Sequence, residues 1–193
     1  LYDLEQVEVL RGPQAGLYGR NAVGGAVNIR TAKPVFENTA KVELQVSDKE
    51  RQELIGMGNY AFSDTLAARL SFKAINQDSG FSRNAFLDQE LDEKENLSAR
   101  ARVLWQPSDN LEVLLTGQYR DDNGQTPAVF RVGQDPRNLS YDTETPYNVK
   151  EQQFSSEVNW GIGGGTLTNI LSYRSIDVYQ QDDTDFSSAY LQT

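Results

Sequence analysis

The sequence of 193 residues contains no cysteine and no histidine. Without cysteine, the chain can form neither disulfide bonds nor thiolate metal sites. Without histidine, it lacks the usual ligand of zinc and haem and the commonest general base, so a nucleophile–base triad is not expected. We therefore expect no metal site, no cofactor and no enzymatic activity.

Positive charge is also scarce. The chain has 18 lysines and arginines against 28 acidic residues, which gives a formal net charge of −10. Proteins that bind nucleic acid need clustered positive charge to displace the counterions of the phosphates. This composition therefore argues against a nucleic-acid partner.

Long apolar runs are missing. No stretch approaches the roughly 18–20 consecutive apolar residues that a transmembrane helix needs. This does not exclude a membrane protein, because the strands of a transmembrane β-barrel alternate lipid-facing and lumen-facing residues and leave only a weak hydropathy signal. The first residue is leucine, and no signal peptide follows it. We therefore interpret the chain as a piece of a longer protein.

Glycine, by contrast, is dense near the start of the chain. Two β-type runs, 7–10 and 26–31, bracket a segment that is rich in turn residues. So many glycines predict positive-φ turns or close backbone approaches. These residues are Gly12, Pro13, Gly16, Gly19, Gly24 and Gly25. The segment lacks the G-x-x-x-x-G-K-(S/T) pattern of a phosphate-binding loop, since Arg20 and Asn21 follow Gly19.

The whole segment 5–31 resembles the end of the plug domain of TonB-dependent outer-membrane receptors. The family pattern is approximately E-x-V-E-V-L-R-G-P-x-x-x-L-Y-G-x-x-x-x-G-G-x-(I/V)-N-(I/V)-x-(T/S), and the chain matches it without a gap. The resemblance implies that residues 1–33 are the C-terminal part of a plug domain and that residues 34–193 are the N-terminal part of the receptor β-barrel. It also implies a location in the outer membrane of a Gram-negative bacterium.

Downstream of Pro34, apolar and polar residues alternate with period two, which is typical of half-buried β-strands. Short turns at 63–64, 106–110 and 161–165 alternate with long polar connectors at 76–95 and 121–150, whereas the connector near 47–52 is short. Strands of about ten residues with this asymmetry are typical of outer-membrane barrels. The predicted strands lie around 42–46, 54–62, 66–74, 97–105, 111–119, 154–160 and 166–178.

These features predict an all-β fold, namely a partial antiparallel transmembrane β-barrel preceded by the C-terminal part of a plug domain. A barrel wide enough to hold a plug has about 22 strands, so the chain supplies about seven of them. Aromatic residues are expected to form girdles at the two membrane–water boundaries. Tyr60, Phe62, Trp105 and Trp160 lie next to short turns, and Tyr119, Tyr173 and Tyr179 lie toward the long connectors.

The motif also carries charged candidates for contacts between plug and barrel. The resemblance implies that Arg11 belongs to a lock region that pairs with barrel glutamates, which would lie beyond residue 193; a solvated or locally paired arginine is the alternative. Glu8 and Arg20 are further candidates for the plug–barrel contact, and Glu8 could also pair with Arg30. The motif glycines Gly12, Gly19, Gly24 and Gly25 are expected to shape the turns.

The connectors are acidic, which suggests either a cation site or a solvated outer surface, and we favour the surface. Their aromatic residues are candidates either for ligand contact or for packing the connectors together. These residues are Phe81, Phe86, Phe130, Tyr141 and Tyr147.

The resemblance implies active uptake of a scarce nutrient, most often a ferric siderophore. The implied partners are outer-membrane lipid, a small ligand such as an iron chelate, and TonB, which would act through an upstream segment. A corrinoid, haem or an oligosaccharide are alternative ligands. A soluble β-rich adhesion or carbohydrate-binding module is the alternative from another class, and it predicts a polar outer face on the strands.

Overall fold

A computed structural model describes residues 2–13, 16, 23–126, 128–130, 132–184 and 187–188. Almost all regular structure in this part of the chain consists of β-strands, and no helix there is long and apolar enough to cross a bilayer. The strands are β1 (Leu4–Arg11), β2 (Gly25–Thr31), β3 (Thr39–Val46), β4 (Arg51–Ser63), β5 (Leu66–Gln77), β6 (Ser82–Asn84), β7 (Gln89–Leu91), β8 (Lys94–Ser108), β9 (Leu111–Gln125), β10 (Asn138–Leu139), β11 (Pro146–Ile162) and β12 (Gly165–Gln180).

Seven strands form one large sheet, which we call the wall. Their order is β12-β11-β9-β8-β5-β4-β3, and each neighbouring pair is antiparallel. Neighbours in the wall are therefore consecutive long strands of the chain, as in a barrel built from hairpins. The prediction of seven antiparallel strands is confirmed.

The strands are longer than the sequence pattern predicts. The predicted length was about ten residues, whereas β8 and β9 have 15 residues, β11 has 17 and β12 has 16. The predicted connector 121–150 consequently shrinks to 126–145, and 76–95 shrinks to 78–93. The strands stay paired beyond the point where apolar and polar residues stop alternating. This is because the backbone N–H and C=O groups form interstrand hydrogen bonds whatever the side chains are.

The two ends of the wall differ in their connections. At one end, two-residue turns at 64–65, 109–110 and 163–164 join successive strands. Gly163 and Gly164 have φ of 41° and 102°, which favours glycine at this turn. At the other end lie the short turn 47–50 and the two long connectors. The predicted asymmetry between short turns and long connectors is therefore present.

The two long connectors pair with each other. β6 pairs with β7 and, in parallel, with β10, which makes a three-stranded sheet. Leu91, Leu139 and Tyr141 form a small buried core beneath it, with Ala128 packed against them. We call connectors 78–93 and 126–145 together the loop cap. Because each connector fills the other's core, the loop cap is one packed unit.

The two faces of the wall differ in chemistry. Because side chains alternate along each paired strand, one face is mostly apolar and the other is mostly polar. We call the apolar face the outer face and the polar face the inner face. The exposed side chains of the outer face include Val42, Leu44, Tyr60, Phe62, Leu70, Val103, Trp105, Leu115, Phe154, Trp160, Leu171 and Tyr173. A soluble module predicts a polar outer face, which this sheet does not have.

The first two strands form a separate antiparallel hairpin, in which Arg11 pairs with Gly25 and Leu4 with Thr31. Its open end, where residues 2–3 and 31–33 meet, contacts the polar inner face of the wall. Gly25 has φ of 137°, and a Cβ there would lie 2.4 Å from the carbonyl oxygen of Leu10. Glycine is therefore required where β2 begins against β1.

Candidate functional site

The strongest contact between the hairpin and the wall joins Asp3 to Arg69 on β5. Nε of Arg69 donates to Oδ2 of Asp3 at 2.9 Å and to Oδ1 at 3.2 Å, and Nη2 also donates to Oδ1. The two side chains are only 6% and 10% exposed. A buried, bidentate arginine–carboxylate pair of this kind fixes orientation as well as position.

The surroundings of Asp3 favour its charged form. Burial raises the pKa of this carboxyl, but hydrogen bonds from Arg69 and Ser71 and the positive charges of Arg69 and Arg100 outweigh burial. The pKa of Asp3 therefore lies below its ordinary value. Asp3 stays ionised in the folded state, as the ion pair with Arg69 requires.

A second contact is made by Arg102 on β8. Its Nη1 donates to the backbone oxygen of Thr31 at 2.8 Å and to that of Ala32 at 2.9 Å. The N–H of Ala32 in turn donates to the oxygen of Asp3 at 3.0 Å. The two chain segments at the open end of the hairpin are thus hydrogen-bonded to each other and to the wall.

The segment that follows the hairpin is also attached. Nζ of Lys33 lies 3.5 Å from Oε1 of Glu112 and 4.0 Å from Oε1 of Glu157. Asn59 accepts a hydrogen bond from the N–H of Val35 at 3.0 Å and donates to the oxygens of Val35 and Glu37 at 2.7 and 2.6 Å. Asn59 is almost fully buried, so residues 33–37 are held against the wall rather than left as a free linker.

Next to the open end of the hairpin, the inner face of β4, β5, β8 and β9 lines a cleft of about 440 Å³. The hairpin residues that border this cleft include Tyr2 and Thr31. The guanidinium of Arg100 lies 4.9 Å from the centre of the Tyr2 ring. Burial raises the pKa of the Tyr2 hydroxyl, although the nearby Arg100 opposes this. We call this space the Arg100 cleft.

The predicted motif residues lie on the hairpin, away from these contacts. Glu8 accepts hydrogen bonds from Asn28 at 2.9 Å and from Gln6 at 3.0 Å, both within the hairpin, so the suggested pairing with Arg30 is replaced by Asn28. Arg11 ends β1. Arg20 and Gly19 lie outside the described residues. The plug–barrel roles of Arg11, Glu8 and Arg20 stay predictions.

The other motif glycines have different surroundings. Gly12 has φ of 83°, a conformation that favours glycine, although a Cβ would have open space there. Gly24 has neither a positive φ nor any atom within 4 Å of a Cβ. With Gly25, two of the three described motif glycines are therefore required by the backbone.

The predicted girdle residues all lie on the outer face. Tyr60 and Phe62 meet edge to face, with ring centres 4.9 Å apart, next to the turn 64–65. Trp105 and Trp160 lie near the same end of the wall, on β8 and β11. Tyr119 and Tyr173 lie nearer the middle of β9 and β12 than the pattern suggested, because these strands continue further. Their role at a membrane boundary stays a prediction.

The aromatic residues of the connectors divide into two groups. Tyr141 is buried in the core of the loop cap, where its hydroxyl receives a hydrogen bond from the N–H of Val129. Phe81, Phe86 and Phe130 are half exposed or more. Tyr141 therefore packs the connectors together, and the three phenyl rings remain available for contact with a ligand.

The acidic connectors show no arrangement suited to a cation. Among residues 2–13, 16, 23–126, 128–130, 132–184 and 187–188, no group of three or more carboxylates could hold a metal ion. Asp92 instead caps two backbone N–H groups, those of Phe81 and Ser82, at 3.2 Å each. Asp92 therefore stabilises a turn of the connector, and the solvated role of the other carboxylates stays a prediction.

Sequence reasoning missed the residues that attach the hairpin, namely Asp3, Arg69 and Arg102. A signal was available, because the alternation places Arg69, Arg100 and Arg102 on the polar face of two successive strands. Three arginines on one face of paired strands need acceptors, and the neighbouring hairpin provides them for Arg69 and Arg102.

Comparison with curated proteins gives several relatives, one of which matches almost the whole chain. The ferrioxamine receptor of Yersinia enterocolitica is 23% identical over 97% of this chain, which corresponds to 26% of that protein. The ferric enterobactin receptor PirA of Pseudomonas aeruginosa is 35% identical over 37% of the chain and 10% of its own length. The vitamin B12 transporter BtuB of Photobacterium profundum is 28% identical over 63% of the chain and 20% of its own length.

Solved structures show the same fold. The ferric yersiniabactin uptake receptor FyuA from Yersinia pestis superposes with a TM-score of 0.80 at 20% identity, covering 93% of this chain and 29% of that one. The ferric-catecholate import receptor Fiu from E. coli, in its open form, gives a TM-score of 0.74 at 16% identity over 92% of the chain and 29% of its own. No family model matches the chain. The chain thus spans about a quarter of the length of the first relative.

Proposed function

We propose that this chain, a member of the TonB-dependent outer-membrane receptors, is part of a transporter that takes up a ferric siderophore. The observation that carries the proposal is the match along 97% of the chain to a receptor whose name states a siderophore, ferrioxamine. The fold shared with FyuA over 93% of the chain supports the same assignment. Transport rather than catalysis also fits a chain without cysteine or histidine.

In this proposal, residues 1–33 form the C-terminal part of the plug and residues 34–193 begin the barrel. The position of the hairpin supports this division, because its open end rests on the polar inner face of the wall through Asp3 and Arg102. Lys33 then lies where the chain passes from the plug to the barrel, since its Nζ lies close to Glu112 and Glu157 on the wall.

The outer face supports placement in the outer membrane. Exposed apolar side chains cover it along all seven strands, and a sheet can present such a face to lipid only within a closed barrel. In the closed barrel, the loop cap faces outward and the two-residue turns face the periplasm. Tyr60, Phe62, Trp105 and Trp160 then form the periplasmic girdle, while Tyr119 and Tyr173 lie toward the other boundary.

The proposed partner that supplies energy is TonB, which would act on a plug segment upstream of this chain. Force on that segment reaches the described hairpin at Tyr2 and Asp3. The Asp3–Arg69 pair then resists the pull early, since it is the first ion pair with the wall along the chain among the described residues. Arg11, Glu8 and Arg20 are proposed to act in plug–barrel contacts with later parts of the receptor.

Iron uptake by the full-length protein tests this function. Cells that lack the protein are expected to lose growth on ferric siderophores under iron limitation, and the same loss is expected when the TonB partner is deleted. The readout is accumulation of iron-55 from a panel of ferric siderophores. Retained uptake after TonB deletion would contradict energised transport, and unchanged uptake without the receptor would contradict the function as a whole.

A corrinoid is the second candidate ligand. The relative BtuB is a vitamin B12 transporter and is 28% identical over 63% of the chain, so the same strands occur in a receptor for a different nutrient. Uptake of radiolabelled cobalamin in the same deletion strain separates the two. Loss of cobalamin uptake with normal iron uptake would replace the siderophore assignment.

A further inference from the structure

Three neighbouring residues of the wall hold the hairpin and the segment that follows it. Asn59 on β4 pairs with Arg69 on β5, and Arg69 pairs with Arg102 on β8. Residues directly opposite each other on antiparallel strands lie on the same face of the sheet. The three side chains therefore stand side by side in one row across the inner face, which we call the anchor row.

The anchor row binds two different parts of the chain. Arg69 binds Asp3, which precedes the hairpin. Arg102 and Asn59 bind the backbone of residues 31–37, which end the hairpin and follow it. The chain thus meets the wall before and after the hairpin on neighbouring strands, and both meeting points lie at the open end of the hairpin.

The segment after the hairpin is attached along its length. Pro34 is fully buried. Asn59, which is 4% exposed, forms hydrogen bonds of 2.6–3.0 Å with the backbone of residues 35–37. The side chain of Asn38 then accepts from the N–H of Ala61 at 2.8 Å, just before β3 begins. We call residues 31–38 the strap, and these contacts fix it to the wall at several successive points.

Force on a segment upstream of the hairpin meets these contacts in a fixed order. It reaches the ring of Tyr2, which lies against Arg100, and then the Asp3–Arg69 pair, before it reaches the strap. While that pair holds, the wall carries the load and the strap carries none. Once the pair parts, the load passes to the hairpin, at the hydrogen bond from the N–H of Ala32 to the oxygen of Asp3.

The geometry of the hairpin determines how it yields. β1 and β2 are antiparallel, so the pulled residue and the strap lie at the same end of the hairpin. Interstrand hydrogen bonds are perpendicular to the strands, and a pull at the open end therefore loads them one after another rather than all at once. Pairing is already irregular between Leu4 and Gln6. β1 should therefore separate from β2 progressively, starting at the open end.

We propose that force from upstream opens the hairpin while the strap stays on the wall. The Asp3–Arg69 pair parts first, and β1 then separates from β2. The chain is held from Thr31 onward, because Arg102 and Asn59 bind the strap. Both are positioning residues, since they make the pull open the hairpin instead of displacing the strap. The inference rests on the proposed function, in which TonB supplies the force.

Pulling on single molecules of the full-length receptor in outer-membrane vesicles tests this order. Force is applied to the N-terminus of the plug, and the measured quantity is the length of chain that each step releases. An extended chain spans at most about 3.6 Å per residue, so opening the chain between Asp3 and Thr31 releases about 10 nm. We expect a final plug step of this length, after which extension stops.

A disulfide across the hairpin is the first variant. Val7 and Ile29 are directly opposite each other, within reach of a disulfide, and the chain has no cysteine of its own. In oxidised Val7→Cys/Ile29→Cys the final step should shorten by about 8 nm, because the residues between the two cysteines stay closed. Uptake of iron-55 from a panel of ferric siderophores that includes ferrioxamine should fall to the level of cells lacking TonB. Reduction should restore both.

The control disulfide joins two wall strands on the outer face. Leu44 and Leu54 are directly opposite each other on β3 and β4, and both are exposed there. Oxidised Leu44→Cys/Leu54→Cys should change neither the step length nor the uptake, because β3 and β4 stay paired throughout. It therefore separates the effect of closing the hairpin from the effect of oxidation.

The double variant Arg102→Gln/Asn59→Ala tests the strap. Without these side chains the next fixed point is β3, which begins at Thr39, so the stop should move by about 3 nm. Maximal uptake should fall, whereas the equilibrium affinity for the siderophore should stay the same. Arg174→Gln removes an arginine that bonds Glu151 at 2.7 Å on the wall, and it should leave the stop in place.

If the double variant does not assemble, the hairpin disulfide still decides, because it leaves the anchor row intact. Equal step lengths in the oxidised and reduced hairpin variant would overturn the proposal, since the hairpin would then move as one body. Normal uptake by the oxidised form would overturn it as well. The length measurement needs no ligand. Unchanged iron-55 uptake in cells lacking the receptor would instead overturn the siderophore function, so the two failures are distinguishable.

Discussion

Asp3 and Arg69 are 66 residues apart in the chain, yet they form a nearly buried ion pair between the N-terminal hairpin and the wall. Arg69 lies on the polar face of β5, and Asp3 directly precedes β1. The pair places the start of the hairpin beside the first third of β5, since Arg69 is the fourth residue of that strand. It therefore sets the position from which the hairpin contacts Arg102.

Removing the charge of Asp3 should loosen this attachment. In Asp3→Asn, Arg69 stays buried without its counter-charge, which costs about 3–5 kcal/mol when one partner of a buried pair is lost. Hydrogen exchange of the β1 and β2 amides in the full-length receptor should rise. The control Glu43→Gln breaks the exposed Lys41–Glu43 pair and should change stability by less than about 1 kcal/mol. Equal exchange in the two variants would contradict a dominant role for Asp3.

The same pair should make the attachment sensitive to acid. The pKa of Asp3 is lowered in the folded state, so its stabilising contribution is complete above the ordinary aspartate value of 3.8. It decreases as the pH falls below that value and through the folded-state pKa. Protection of the hairpin amides, measured by exchange between pH 7 and pH 3, should fall in this window. In Asp3→Asn this part of the pH dependence should disappear, and its persistence would assign it to another group.

The wall could be predicted from sequence because its signal is local. Alternation along 42–46, 66–74 or 111–119 places apolar side chains on one face of a strand, whatever the strand pairs with. Strand ends were harder to predict, since β9 continues to Gln125 and β11 starts at Pro146 in segments where alternation has stopped. There, pairing depends on the neighbouring strand rather than on the local pattern.

The candidate site could not be predicted in the same way, because it depends on long-range register. Arg69, Arg100 and Arg102 come together only when β5 and β8 pair as Arg69 with Arg102 and Ser71 with Arg100. Asp3 precedes the glycine-rich motif and carries no pattern of its own. The motif drew attention to Arg11 and Glu8, whereas the wall contacts are made by its last residue, Thr31, and by residues on either side of it.

The two adjacent motif glycines give a matched test of the hairpin. In Gly25→Ala the new Cβ would lie 2.4 Å from a backbone oxygen of Leu10, at φ of 137°. The backbone must shift, and we expect a loss of about 1–3 kcal/mol in hairpin stability. Gly24→Ala meets no atom within 4 Å and should be close to neutral. Hydrogen exchange of β1 and β2 compares the two variants, and similar protection in both would contradict the strained geometry at Gly25.

Asn84 should control the integrity of the loop cap. It is 1% exposed, donates to the oxygen of Tyr141 at 3.1 Å and accepts from the N–H of Tyr141 at 3.1 Å. In Asn84→Ala these backbone groups lose their partner, at about 1–3 kcal/mol for each buried group. Limited proteolysis on intact cells should then cut connector 126–145 faster. Asn76→Ala, which removes only hydrogen bonds to Asp78, is the control and should leave the cutting rate unchanged.

Two neighbouring residues of β12 test which face of the wall meets lipid. Leu171 is 71% exposed on the apolar face, and Ser172 follows it on the polar face. An arginine on a lipid-facing strand position costs about 2–4 kcal/mol near the bilayer midplane, whereas lumen positions tolerate it. Leu171→Arg should therefore lower the folded fraction of the full-length receptor in vesicles, seen as loss of heat-modifiable gel mobility. Ser172→Arg should fold normally, and the reverse order would assign the faces of the wall the other way.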